Sequence, residues 1–253
     1  MSFAARARFA PDRRRGAAAG GDPLWRVAGR GPAMTVGLYG GSFDPTHEGH
    51  VHVALTALRR LRLDEVWWLV SPGNPLKVRA GRVAAPLPDR VAGARAMAGH
   101  PRLRITTAEA TLGTRFTVDT VAALRRRFPR IRFVWIMGAD GLTDLHRWGG
   151  WRQLARMVPI AVIDRPGYGI RAMAGRAARR LAHHRLPEHR AGRLARLDPP
   201  AWILLHARLD PRSATEIREG RKPRPEGRPR RGPISPAPAA SDGPEAGHRN
   251  RHG

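Results

Sequence analysis

The 253-residue chain contains no cysteine. That excludes a disulfide framework, a thiolate metal site and a cysteine nucleophile. Lysine is nearly missing as well: all but two of the 46 basic residues are arginine, the exceptions being Lys77 and Lys222. Acidic residues number only 20, which leaves a formal net charge of +26. Aromatic residues make up 6% and do not alternate with basic ones, so the charge does not read as a dedicated nucleic-acid surface. The arginine excess, together with abundant alanine, glycine and proline, has the look of a GC-rich genome. Its expected consequences are non-specific attraction of polyanions at low salt and electrostatic guidance of small phosphorylated molecules. No apolar run reaches the roughly 18–20 residues of a membrane span. The N-terminal arginines are not followed by the apolar stretch of a secretory signal. The expectation is a cytoplasmic protein with no membrane and no specific nucleic-acid partner; oligomeric state is left open.

What is present is enough apolar residue, 42%, to build a full α/β core. Residues 1–33 are rich in Arg, Ala, Gly and Pro without periodicity, and residues 221–253 share that character; both are expected to be disordered. Between them, residues 34–220 form one expected domain in which strands and helices alternate. Strands are expected at Thr35–Tyr39, Glu65–Val70, Leu103–Thr107, Ile131–Met137, Val158–Ile163 and Trp202–Leu205. Helices are expected at Gly49–Leu61, Asp89–Ala98, Thr117–Phe128 and, as one basic helix, Ile170–His184. In the first helix Val51, Ala54, Leu55, Leu58 and Leu61 recur at helical spacing. Such alternation predicts a doubly wound, mostly parallel sheet with helices on both faces. In such sheets ligands bind at the carboxyl ends of the strands.

The most informative segment is Gly40-Gly41-Ser42-Phe43-Asp44-Pro45-Thr46-His47-Glu48-Gly49-His50, between the first strand and the first helix. Two glycines permit a tight turn and a close approach of backbone to ligand. Exposed amides at a helix start, with the helix dipole, attract anions. His47 and His50, three apart, can project from one side of the first turn and donate to phosphate oxygens. A zinc site drawn from His47, Glu48, His50 and His52 is a competing reading, although the spacing is not that of HExxH. A second segment, Arg212-Ser213-Ala214-Thr215-Glu216-Ile217-Arg218, reads alone as a helix cap.

Together the two segments resemble the nucleotidylyltransferase superfamily, whose signatures are an N-terminal HxGH and a closing ISSTxIR. Ser213, Thr215, Ile217 and Arg218 match the second signature; Arg212 and Ala214 depart from it, which puts one hydrogen bond to phosphate in doubt. The resemblance spans about Met34 to Gly220. It implies a Rossmann-like fold and in-line attack of a substrate phosphate on the α-phosphorus of ATP, without a covalent enzyme intermediate. His47, His50 and Arg218 would be catalytic. Gly40, Gly41, Ser42, Phe43, Lys77, Gly138, Asp140, Ser213 and Thr215 would hold ATP and its phosphates.

Further segments resemble the nicotinate-nucleotide adenylyltransferase branch. These are Val70–Lys77, Phe116-Thr117-Val118-Asp119-Thr120, Gly138-Ala139-Asp140, the pair Trp148 and Trp151, and Arg165-Pro166-Gly167. The resemblance implies that amides near Thr117 receive the nicotinate carboxylate, that Trp148 stacks on the pyridine ring, and that Asp140 contacts the adenosine ribose. Read alone, the tryptophans, three apart on one expected helix, would serve equally as core aromatics, and Asp119 and Asp140 as helix-start charges. The implied substrates are ATP and nicotinate mononucleotide, with Mg2+ carried by the triphosphate. Nicotinamide mononucleotide or phosphopantetheine as acceptor, or a basic nucleic-acid-binding protein on an α/β scaffold, are the alternatives.

Overall fold

The computed structural model describes residues 33–73, 83–164 and 169–206. Seven strands form one parallel sheet: β1 Met34–Gly41, β2 Glu65–Val70, β3 Leu103–Thr106, β4 Ile131–Gly138, β5 Ile160–Ile163, β6 Arg185–Leu186 and β7 Trp202–Leu205. Their order is β3-β2-β1-β4-β5-β7-β6, so the direction of winding reverses between β1 and β4. The expected parallel sheet is therefore present, and its switch point falls on the strand that runs into the double glycine.

Every central strand is buried on both faces, and side-chain alternation divides its residues between two cores. Val36, Leu38, Trp67, Leu69, Trp135 and Met137 face one core. Tyr39, Val66, Trp68, Val70, Val134 and Ile136 face the other. The helices α1 Glu48–Arg60 and α2 Leu87–Ala98 cover the second face, while α3 Ala108–Thr111, α4 Thr117–Arg127, α5 Ala139–Asp144 and α6 Trp151–Met157 cover the first. A buried carboxylate at the start of β2 shows how polar groups are tolerated here. Glu65 accepts two guanidinium hydrogen bonds from Arg104, at 3.0 and 2.7 Å, and one from the Trp67 indole at 2.8 Å. Burial of that charge is compatible with the core because its oxygens are matched.

Most expected elements form within a residue or two of their expected bounds, and three differ in instructive ways. The buried face of α1 centres on Val53, Ala54, Ala57 and Leu58; Val51 and Leu55 lie half-buried on its border. The single basic helix over Ile170–His184 is instead two short helices, α7 Gly169–Ala174 and α8 Arg176–Arg180, followed by a 3-10 turn at Ala182–His184. Gly175 adopts extended backbone between them (φ −67°, ψ 157°) and restarts the helix. Trp148 and Trp151 do not share a helix. Trp148 ends a 3-10 turn in extended conformation and Trp151 opens α6, with Gly150 in the left-handed region between them (φ 73°). The expected tails at 1–33 and 221–253 lie outside the described residues, save Ala33. No helix among the described residues is long and apolar enough to cross a membrane.

Candidate active site at the carboxyl edge of the sheet

The carboxyl ends of β1, β2, β3 and β4 deliver four loops to one edge. The first leaves β1 at Gly40 and Gly41. A Cβ at Gly40 would lie 2.5 Å from the Trp135 ring on β4, so glycine is required there for strand packing as much as for a ligand. Phe43 follows with φ 49°, a strained conformation for a bulky residue. That turn drives its ring into the core, 2% exposed, where it stacks on Trp68 (5.0 Å, 3° between planes) and meets Tyr39 edge-on. The Phe43 side chain therefore supports the loop from beneath.

His47 and His50 cap the helix that follows. The Gly49 amide donates to His47 Nδ1 at 3.1 Å, and the His47 amide donates to His50 Nδ1 at 3.2 Å. This is a reciprocal capping box built from two imidazoles. A third amide, that of His50, donates to the His47 carbonyl at 2.9 Å. The expectation that free amides of this helix start would bind phosphate is thus modified: the amides of His47, Gly49 and His50 are consumed within the turn. What the arrangement presents instead follows from hydrogen-bond logic. A backbone N–H can only donate, so each Nδ1 must be a lone-pair acceptor and each neutral ring carries its proton at Nε2. The rings lie 3.8 Å apart with planes 40° from each other. His47 is 3% exposed, His50 half-buried, and the Phe43 ring packs against His50 at 5.0 Å. Two Nε2–H groups with fixed tautomer and orientation are suited to polarise phosphate oxygens. Among the described residues no group of three or more His, Asp or Glu could hold a metal ion, so the zinc reading of His47, Glu48, His50 and His52 has no geometry there.

The segments that carry Trp148 and Thr117 pack side by side. Trp148 packs edge-on against Trp135 (6.1 Å, 85°). The next residues, Gly149 and Gly150, press against the turn before α4: a Cβ on Gly149 would come within 3.1 Å of Phe116, and one on Gly150 within 2.7 Å of Val118. Thr117 is the first residue of α4, whose N-cap, Phe116, makes no side-chain hydrogen bond. Helix α1 is thus capped by its own histidines, while the start of the 11-residue α4 carries no side-chain cap and lies beside Gly149 and Gly150, which follow Trp148. The Phe116 ring, 43% exposed, stands beside that start. Gly138 and Asp140 lie at the carboxyl end of β4; Asp140 is exposed in the first turn of α5. Lys77, Ser213, Thr215 and Arg218 lie outside the described residues, as do Asn74-Pro75-Leu76 and Arg165-Pro166-Gly167.

Two residues at this edge were not singled out from sequence. Arg90 of α2 is only 4% exposed, and its guanidinium ties separate segments together. Nη1 donates to the carbonyls of Ser42 and Ser71, each at 2.7 Å; Nε donates to Ala85 at 2.8 Å and Nη2 to Pro72 at 3.4 Å. Burial pushes the Arg90 guanidinium below its ordinary pKa, and the Asp44 charge acts in the opposite sense. Asp44 itself accepts from the Ala85 amide at 3.4 Å, and the Ser71 amide donates to Gly41 at 2.9 Å. The loops after β1 and β2 are therefore one cross-linked unit. Glu109 of α3 is the second. It is buried, burial raises its pKa, and a hydrogen bond from Ser71 works the other way. Nothing in sequence separated Arg90 from the other arginines; an acidic residue in the mostly apolar run after β3 was the faint signal for Glu109.

This arrangement, a parallel sheet whose switch-point strand runs into an imidazole-capped helix, defines a nucleotidyl-transfer scaffold. The chain belongs to the cytidylyltransferase-like family, whose sequence profile matches residues 38–220. It is 54% identical over 185 residues to the protein named "Probable nicotinate-nucleotide adenylyltransferase" of Cereibacter sphaeroides, which covers 73% of this chain and 96% of that protein. It is 53% identical over 185 residues to the protein of the same name from Methylorubrum extorquens, covering 73% and 99%. Among solved structures, Plasmodium falciparum nicotinic acid mononucleotide adenylyltransferase complexed with NaAD aligns with a TM-score of 0.54 at 16% identity, over 74% of this chain and 83% of that one. That likeness shows a shared fold.

Proposed function

We propose that this chain transfers AMP from ATP to nicotinate mononucleotide, giving nicotinate adenine dinucleotide and pyrophosphate, as a cytoplasmic step of NAD biosynthesis. The observation that carries the reading is the pairing of two differently finished helix starts at one sheet edge. Helix α1 is closed by His47 and His50 and presents Nε2–H donors; α4 begins beside Gly149 and Gly150, which follow Trp148, without a side-chain cap. The relatives with more than half of their residues identical carry the same activity in their names.

A phosphate oxygen of the mononucleotide attacks the α-phosphorus of ATP, and the bond from that phosphorus to the α–β bridging oxygen breaks as pyrophosphate leaves. The attacking oxygen is already anionic, so the step needs no protein base or nucleophile. The chain contributes alignment and charge stabilisation. The Nε2–H groups of His47 and His50 donate to phosphate oxygens as charge moves onto the leaving group. The amide-rich Gly40–Ser42 turn brings the backbone close. Arg218, Ser213, Thr215 and Lys77 complete the phosphate grip, and Asp140 accepts from the adenosine ribose. The start of α4 at Thr117 receives the nicotinate carboxylate, favoured there by the helix dipole, and Trp148 stacks on the ring. Mg2+ arrives on the triphosphate; the described edge offers scattered carboxylates and no cluster to hold it independently.

The test is pyrophosphate release from ATP and Mg2+ with nicotinate and nicotinamide mononucleotides as parallel acceptors. A strong preference for nicotinate is expected. Equal use of the two would remove the carboxylate role of the α4 start, and no release with either would overturn the reading.

A further inference from the structure

One hollow among the described residues lies away from the histidine loop. It lies at the amino edge of the sheet, where β4, β5 and β7 begin and α4 ends, with a volume of about 640 Å³. Thr35 of β1 lies in register with Arg132 of β4, one of its lining residues. The strand run from Thr35 to Gly41 therefore separates this hollow from the candidate active site by about 20 Å.

Its chemistry is divided. Phe133, Met157 and Leu197 supply an apolar floor, while Arg125, Arg126, Arg132 and Arg196 stand around it with a single carboxylate, Asp198. None of these four arginines forms an ion pair or a side-chain hydrogen bond among the described residues, whereas Arg60, Arg90, Arg104 and Arg147 all do. Arg125 and Arg126 lie in the last turn of α4, where cations offset the helix dipole. Arg196 likewise ends a helix, the 3-10 helix Glu188–Arg196; the dipole does not account for Arg132, which reaches the same hollow from β4. Four exposed arginines thus line one hollow with a single carboxylate among them, and a polyanion can accept hydrogen bonds from several guanidinia at once.

We infer that this hollow is a second nucleotide site, taking a nucleoside di- or triphosphate with its base on the apolar floor and its phosphates among the four arginines. The volume falls in the range of small-ligand pockets. Charge selects against the other occupants at hand. Both terminal segments are arginine-rich and a second copy carries the same +26, so each would be repelled. The inference stands independently of the adenylyl-transfer reading.

Hydrogen–deuterium exchange of the full-length protein with 1 mM GDP tests it, GDP being neither of the proposed substrates. Slower exchange is expected across 129–134 and 195–199, unaffected by His50→Ala. The Arg132→Gln/Arg196→Gln variant should bind GDP at least about tenfold more weakly with unchanged adenylyl-transfer kinetics. Ala122→Glu, which adds a carboxylate at the wall of the hollow, should produce the same loss. Absence of protection at 1 mM, protection confined to 40–50, or unchanged affinity in both variants would overturn the site. Inorganic tripolyphosphate binding as tightly as GDP would overturn the role of the apolar floor.

Discussion

The two edges of the sheet use polar residues in opposite ways. At the carboxyl edge the buried groups at the helix start and between the loops are tied down. His47 and His50 cap their own helix, Arg90 donates to four carbonyls, and Glu109 accepts from Ser71. At the amino edge four arginines surround a hollow without partners among the described residues. The first edge has spent its hydrogen bonds on positioning, leaving a few groups with fixed direction. The second has kept its charge for something outside the chain. The contrast teaches that net charge is a poor guide to the proposed site, where the groups offered to phosphate are two imidazoles whose Nδ1 atoms are taken up by backbone amides.

The comparison breaks most visibly at His50. His50→Ala should lower turnover by about 10²–10³-fold while leaving the mononucleotide Michaelis constant close to normal, in steady-state pyrophosphate release. Near-normal turnover would mean that the oriented Nε2–H is not used. Arg90→Ala tests whether positioning is the point of the carboxyl edge. Removing a buried guanidinium from several carbonyls should cost about 2–3 kcal/mol of stability and weaken ATP use, read by denaturant titration and by kcat/KM. Arg90→Lys should recover only part of either, because an ammonium lacks the planar fork. Trp148→Ala should raise the Michaelis constant for the mononucleotide by roughly tenfold, in keeping with about 1–3 kcal/mol for a base stacked on an aromatic ring. An unchanged value would remove the stacking role.

Glu109 gives a smaller, pH-dependent effect. Burial raises its folded pKa above the unfolded value, so the fold favours the protonated carboxyl. That contribution is fully present below the ordinary glutamate value of about 4.3 and is lost as pH rises through the folded value. Thermal melts of Glu109→Gln against wild type should therefore show the variant gaining relative stability from pH 4 to pH 8; a gap independent of pH would contradict the assignment. The smallest effect belongs to the other edge. Arg132→Gln should change stability by no more than about 0.5 kcal/mol and leave both Michaelis constants alone, which sharpens the claim that the two edges are separate.

Much of the fold was legible because local pattern suffices where an element's partners are simply "the core". Glu65–Val70 and Trp202–Leu205 were bounded correctly as short apolar runs. The alternation of strands with helices implied the parallel sheet that is found. The histidine loop was legible as a spacing. Its hydrogen-bond pattern was not, since capping boxes are recognised by Ser or Thr with Glu or Gln, and here imidazoles do both jobs. Gly175 was read through as helical because an isolated glycine in an apolar-periodic stretch is a weak breaker; in the folded chain it is extended and divides α7 from α8.

What the sequence alone determined is the set of elements, their parallel winding and the identity of the loop that carries His47 and His50. These follow from periodicity of 2 and 3.6 and from turn chemistry, which are local. Only the tertiary structure decided that one arginine among forty-four, Arg90, reaches the carbonyls of the loops after both β1 and β2. It alone brought Gly149 and Gly150, which follow Trp148, against the start of α4 and gathered Arg125, Arg126, Arg132 and Arg196 around one hollow. Such groupings join residues far apart along the chain, and their geometry is set by strand register and helix packing, which no local pattern encodes.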